Sequence, residues 1–168
     1  MSSKFQVSIT SQFSVIDSLS EDLGENLKHD PLFNSQIWHL TWWELWGEDS
    51  TPVINIVSDG VTTLAHLTLY IDKFKFKNIL PINRLQFIGT NYQNFETPRA
   101  EYLAFNNYSD DSFVISKALN KLETISWDEF VARDIIVEGD TANALTQWAN
   151  QNRWLSRVIH QDTAYFID

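Results

Sequence analysis

Four of the chain's seven tryptophans fall within 34–47, Asn-Ser-Gln-Ile-Trp-His-Leu-Thr-Trp-Trp-Glu-Leu-Trp-Gly, at Trp38, Trp42, Trp43 and Trp46. At about 100° per residue, Trp38, Trp42, Leu45 and Trp46 share one broad face. Ile37 and Trp43 flank that face, and Leu40 points nearly the opposite way. Only His39, Thr41 and Glu44 are polar between Trp38 and Gly47. A helix that is apolar nearly all round is buried nearly all round. The spacing therefore predicts a helix at the centre of a core, capped by Ser35 and ended by Gly47. A chain of 168 residues, 43% hydrophobic, can build such a core in one domain over 1–168.

Several function classes are set aside by composition. No apolar run approaches the roughly 18 residues of a membrane span. The first residues, Met1-Ser2-Ser3-Lys4-Phe5-Gln6, lack the apolar core of a secretory signal, so the expected compartment is the cytoplasm. The chain has no cysteine, which excludes disulfides, thiolate nucleophiles and cysteine–zinc sites. His29 and His160 have no carboxylate at ligand spacing, and no metal site is expected. A net charge of −10 argues against nucleic-acid binding, which needs cations against phosphates. The largest basic cluster, Lys73, Lys75 and Lys77, alternates with Phe74 and Phe76. That periodicity reads first as a solvated edge strand and second as an anion-binding strip.

Taken in order, Phe5-Gln6-Val7-Ser8-Ile9-Thr10 alternates as a first strand, and 15–28 carries Ile16, Leu19, Leu23 and Leu27 at helical spacing. Asp30-Pro31 breaks that helix ahead of the tryptophan helix. Val53–Val57 and 61–71 are apolar runs around Ser58-Asp59-Gly60, a hairpin signal. Segments 76–80 and 85–88 look extended, and 89–98 looks like a loop. Residues 101–105 are expected as a short strand, followed by a helix through Phe113, Val114, Ala118, Leu119 and Leu122, capped by Ser109 or Asp110. Ile135-Ile136-Val137 reads as a buried strand, Glu138-Gly139-Asp140-Thr141 as a turn and cap before a helix through Ala144, Leu145 and Trp148, and 154–167 as a closing strand. Antiparallel strands come first and β-α-β crossovers follow. The expected fold class is α/β (mixed α+β), a central sheet of about six to seven strands flanked by about four helices and parallel only in its later half.

This order resembles a GNAT-type N-acetyltransferase fold. More closely, the chain resembles the N-terminal lobe of CelD/BcsL-type acetyltransferases, which are FemAB-like. The words that carry the resemblance are Phe33-Asn34-Ser35-Gln36-Ile37-Trp38 with Trp42-Trp43-Glu44-Leu45-Trp46-Gly47, Leu85-Gln86-Phe87-Ile88-Gly89, Glu101-Tyr102-Leu103, Trp127-Asp128-Glu129-Phe130 and Asp162-Thr163-Ala164-Tyr165-Phe166-Ile167. In that family a second GNAT-like lobe follows a segment like the last of these. The resemblance implies acyl transfer from acetyl- or acyl-coenzyme A by the complete protein, with that second lobe as partner.

In this superfamily a Gly-rich turn at a helix N-terminus grips the coenzyme's diphosphate through backbone N–H groups. The element order places that turn at Asn106-Asn107-Tyr108-Ser109-Asp110-Asp111. It holds no glycine and sets two carboxylates where the diphosphate would sit. Gly89-Thr90 offers only a lone glycine. The lobe is therefore expected to bind no coenzyme and to supply structure and part of an acceptor cleft. Candidates for that cleft are His39, a potential base, Trp43, and the polar group Glu96, Arg99, Glu101 and Tyr102. His39 also reads as a buried structural residue, Glu96, Arg99 and Glu101 as surface ion pairs, and the tryptophans as core packing. The alternative function is a non-enzymatic module that homodimerises through its aromatic surface.

Overall fold

The computed structural model describes residues 5–19, 32–91, 100, 103–111 and 113–159. Among them lie six strands and four helices in the order β1 (Gln6–Thr10), α1 (Val15–Leu19), α2 (Gln36–Trp46), β2 (Thr51–Ser58), β3 (Thr63–Phe76), β4 (Leu80–Phe87), β5 (Asn106–Asn107), α3 (Phe113–Leu122), β6 (Glu129–Val131) and α4 (Asp140–Gln151). One mixed sheet runs β1-β2-β3-β4-β6, antiparallel until the last pair, where β4 and β6 are parallel. This is the expected mixed α/β architecture. β5 pairs with β3 at Ala65 and His66, beyond the stretch of β3 that β4 occupies.

Residues 65–70 of β3 are buried on both faces. Period-two alternation sends Ala65, Leu67 and Leu69 to one side, where Val53, Val57, Leu85 and Phe87 join α3 and Trp148 of α4. Tyr70 goes to the other side, where Ile54, Ile88, Ile16 and Trp42 join α1 and α2. The sheet is thus the middle of three layers. Asn55 ties two of them, its amide donating to the Ala118 carbonyl at 2.7 Å inside the core. Such a bond contributes about 1 kcal/mol net, and leaving that buried carbonyl bare would cost about 1–3 kcal/mol.

The tryptophan helix forms where the sequence places it. The Ser35 side chain accepts from the Trp38 N–H at 3.2 Å, and Gly47 closes the helix. Gly47 is not left-handed, at φ −89°. A Cβ there would lie 2.5 Å from Trp43 Cδ2, so glycine serves the packing of that indole. Burial all round does not hold. Trp42 and His39 are inside, whereas Ile37 and Leu45 are 70% and 61% exposed. The helix lies on one face of the sheet, and its buried sector centres between Trp42 and His39, which turns Leu45 outward. Rings pack beneath it: Phe13 stacks on Trp43 at 4.9 Å, and Tyr70 meets Trp42 at 5.4 Å.

Other expectations are corrected. The first helix is described only over Val15–Leu19, and the rest of 15–28 lies outside the described residues. The strand expected at 101–105 is at Asn106–Asn107 instead. Residues 103–105 are not strand, because the amides of Leu103, Ala104 and Phe105 go to a loop carbonyl and two side chains. Residues 135–137 form no strand: β6 is Glu129–Val131, and Ile136 and Val137 are exposed at the turn into α4. The closing strand does not form over 154–159, where Leu155 is 97% exposed, and its remainder lies outside the described residues. The reading of Lys73 and Lys75 as a solvated strand edge fits, since past Ile71 β3 has left β2 and pairs only with β4 and both lysines are exposed, whereas Lys77 lies in the turn.

Candidate functional site

In open α/β sheets, ligands enter at the carboxyl ends of parallel strands, where the connections diverge. Here that place lies beyond Phe87 of β4 and Val131 of β6. The two strands pair through Arg84–Glu129, Leu85–Phe130 and Gln86–Val131, and the pairing stops there. At the register-matched base, Arg84 Nε donates to Glu129 Oε1 at 2.6 Å while its guanidinium lies 3.9 Å over the Phe74 ring. Aromatic rings fill the floor above: Phe87 stacks with Phe105 at 5.3 Å and meets Phe130 at 5.9 Å.

The mouth itself is occupied by the chain. Ala100 N–H donates to the Gly89 carbonyl at 3.1 Å, just past β4, and Leu103 N–H donates to the Asp134 carbonyl at 2.8 Å, just past β6. Ala100 and Leu103 are both buried. Side chains reinforce the closure. Thr90 Oγ1 donates to the Asp134 carboxylate at 2.9 Å, and Arg133 reaches the Asn91 carbonyl at 3.3 Å. Tyr70 OH donates to the Thr90 carbonyl at 2.8 Å. Burial raises that phenol far above its usual range, with Asp72 adding and Arg84 opposing, so it stays a donor. Thr141, in the first turn of α4, accepts the Phe105 N–H at 3.0 Å.

Gly89 cannot open onto a phosphate. Its φ is +104°, and a Cβ there would meet Trp38 Nε1 at 2.7 Å, so the indole covers its open side. The start of α3 is also engaged. Asp111 accepts the Phe113 N–H on its carboxylate at 3.0 Å and the Val114 N–H on its carbonyl at 3.1 Å. Ser109 Oγ in turn accepts the Asp111 N–H at 3.1 Å. The cap is therefore Asp111, not Ser109 or Asp110. A carboxylate, rather than a free amide cradle, meets the positive end of this helix.

On the α2 side of β3 lies a buried polar joint. Asn106 of β5 donates from Nδ2 to His66 Nε2 at 2.7 Å and to the Asn34 carbonyl at 3.3 Å. The second bond identifies the amide nitrogen, so Nε2 of His66 accepts and its proton sits on Nδ1, facing Tyr108 OH at 3.4 Å. Asn34 Oδ1 accepts the Ala104 N–H at 2.9 Å. His39 stands beside His66, 3% exposed, with its Nδ1 unpartnered. Burial lowers His39 to about 3, with His66 adding to the effect, and burial alone lowers His66 to about 4. Both rings are neutral near pH 7. A general base needs reach to a substrate proton and an affinity for it. Asn106, bonded to His66 and to the Asn34 carbonyl, is what ties β5 to β3 and to the segment leading into α2.

Of the sequence candidates, His39 therefore lies in this joint, and Trp43 lies half-buried between Phe13 and Tyr70. Glu96, Arg99, Glu101 and Tyr102 lie outside the described residues, as do His29 and His160. Among the described residues no cluster of three or more His, Cys, Asp or Glu side chains could hold a metal ion, and no helix is long and apolar enough to cross a membrane. His66, which lies in an apolar strand and reads from the sequence as structural or edge-facing, is buried and structural, while sequence reasoning missed Asn34, Asn55, Asn106 and the bond made by Thr141. A signal existed for Asn55, which interrupts an otherwise apolar strand.

No family model and no curated protein matches this sequence. Among solved structures, the chain is similar to the glucosamine-6-phosphate N-acetyltransferase from Arabidopsis thaliana, at 11% identity, over 98% of this chain and 100% of that one. The TM-score is 0.39, a likeness too distant to carry fold or activity across.

Proposed function

We propose that this chain is a GNAT-type, acetyltransferase-like domain that holds no acyl-coenzyme A itself and serves as the structural lobe beside a catalytic one. The order strand, two helices, antiparallel strands, helix, parallel strand supports the GNAT-type reading. The observation that carries the silent role is the closed mouth between β4 and β6. There, Ala100 and Leu103 bridge Gly89 to Asp134, and the adjoining helix start is taken by Asp111. A coenzyme would have to displace buried backbone hydrogen bonds and two well-packed apolar residues, with no glycine-lined amide cradle to receive its diphosphate. Glu96, Arg99, Glu101 and Tyr102 are the acceptor-cleft residues proposed from the sequence, with the second lobe supplying the acyl donor. Isothermal titration of the chain with acetyl-coenzyme A tests the reading. The expected result is no saturable heat, and micromolar binding would overturn it.

A further inference from the structure

The β3–β4 hairpin runs past the rest of the sheet. The β2 pairing ends at Ile71, so from Asp72 outward β3 pairs only with β4. The register sets Phe76 opposite Leu80, Phe74 opposite Ile82, Lys75 opposite Pro81 and Lys73 opposite Asn83. Strand alternation therefore gives this ribbon one apolar side and one side bearing Lys73 and Lys75. Lys77 and Asn78, at φ 50° and 59°, close the turn. At the tip, Ile79 is 84% exposed, Leu80 57% and Phe76 50%. Bulky apolar side chains gathered at a projecting end mark an interaction surface.

Charge is segregated along the same ribbon. Residues 73–83 hold three lysines and no carboxylate, in a chain whose net charge is −10. The acidic groups stand at the root. Asp72 begins the ribbon, Asp128 accepts the Asn83 N–H at 2.7 Å, and Glu129 pairs with Arg84 at 2.6 Å. Lys77 Nζ lies 5.5 Å from the Phe76 ring centroid, its stem laid along the apolar tip.

We propose that this hairpin tip docks on an anionic lipid surface, with Phe76, Ile79 and Leu80 entering the headgroup–acyl boundary and Lys73, Lys75 and Lys77 meeting lipid phosphates. The order of the groups favours a bilayer over a nucleic acid or an acidic protein. Ile79 stands in the turn beside Lys77, whose stem folds back along Phe76, and Lys73 and Lys75 lie behind on the strand, which matches apolar depth beneath a phosphate layer. The acidic remainder of the molecule does not forbid the approach, because repulsion fades beyond a screening length of about 8–10 Å and only the projecting tip lies inside it. The proposal is independent of whether the domain handles an acyl donor.

With no cysteine in the chain, Ile79→Cys accepts a single nitrobenzoxadiazole label at the tip. Titration with phosphatidylcholine vesicles containing phosphatidylserine should shift its emission to the blue, and pure phosphatidylcholine should not. Flotation of the unlabelled chain with the same vesicles should agree. Combined Lys73→Gln, Lys75→Gln and Lys77→Gln should weaken partitioning about a hundredfold, each lysine contributing about fivefold. Leu80→Ser should weaken it with all lysines present. Circular dichroism checks that each exposed-site variant keeps its fold. A label that stays aqueous at saturating anionic lipid, or undiminished binding by the lysine variant, would overturn the proposal. So would binding of heparin with no affinity for vesicles, which would assign the tip to a soluble polyanion.

Discussion

Acid should loosen this domain through His39 and His66, and the size of the effect follows from their burial. An unfolded-chain histidine titrates near about 6.5. The folded chain resists protonation until about 4 at His66 and about 3 at His39. Both folded values are depressed, so below the unfolded value the unfolded state binds more protons and stability falls with pH. Above it, both states are neutral and the contribution is complete. Between pH 7 and pH 5 each ring removes about 2 kcal/mol, and the pair about 4 kcal/mol. Asp72 works in the opposite sense, because burial raises its carboxyl pKa, with Arg84 and the Lys73 backbone opposing. Relief of self-repulsion in an acidic chain also acts that way. The clean measurement is therefore a difference between proteins. Urea unfolding followed by tryptophan fluorescence at both pH values should show His39→Gln losing about 2 kcal/mol less than the wild type. An equal loss in the two proteins would refute the placement of His39 as a buried neutral ring.

Three further outcomes follow from single contacts. Asn106→Ala should lower stability by about 2 kcal/mol in chemical denaturation, since it strips His66 and the Asn34 carbonyl of one buried donor. Gly89→Ala should lower the melting temperature, with a loss of about 2 kcal/mol or more, because φ is +104° and Trp38 stands in the way of a Cβ. Asp111→Ala should cost about 1 kcal/mol as a lost helix cap, read by thermal melting, and calorimetry should still detect no acetyl-coenzyme A binding.

Local grammar was legible in the sequence. Ser35 and Gly47 bound α2, and Asp59 makes the turn between β2 and β3, its carboxylate accepting the Val61 and Thr62 amides at 2.9 and 2.8 Å. The mixed sheet with a late parallel pair followed from element order. What periodicity could not supply was the orientation of α2, because Leu45 and Trp42 are equally apolar and only the facing sheet chooses between them. Residues 103–105 look like a strand in isolation, yet their amides are taken by Asp134, Asn34 and Thr141 from elsewhere in the chain. The polar joint was hidden for the same reason, since His66 and Asn106 meet across 40 residues.

The length of β3 has a kinetic consequence. Its fourteen residues are zipped to β2 and β4 through short connections, so the meander can assemble while little chain entropy is lost. The bonds that complete the domain close far larger loops: Arg84 to Glu129 spans 45 residues, and Ala104 to Asn34 spans 70. A nascent ribbon should therefore precede the final enclosure, and pulse-labelled amides of β2–β4 should gain protection before those of Leu103 and Ala104. Simultaneous protection would show that the enclosure nucleates with the ribbon.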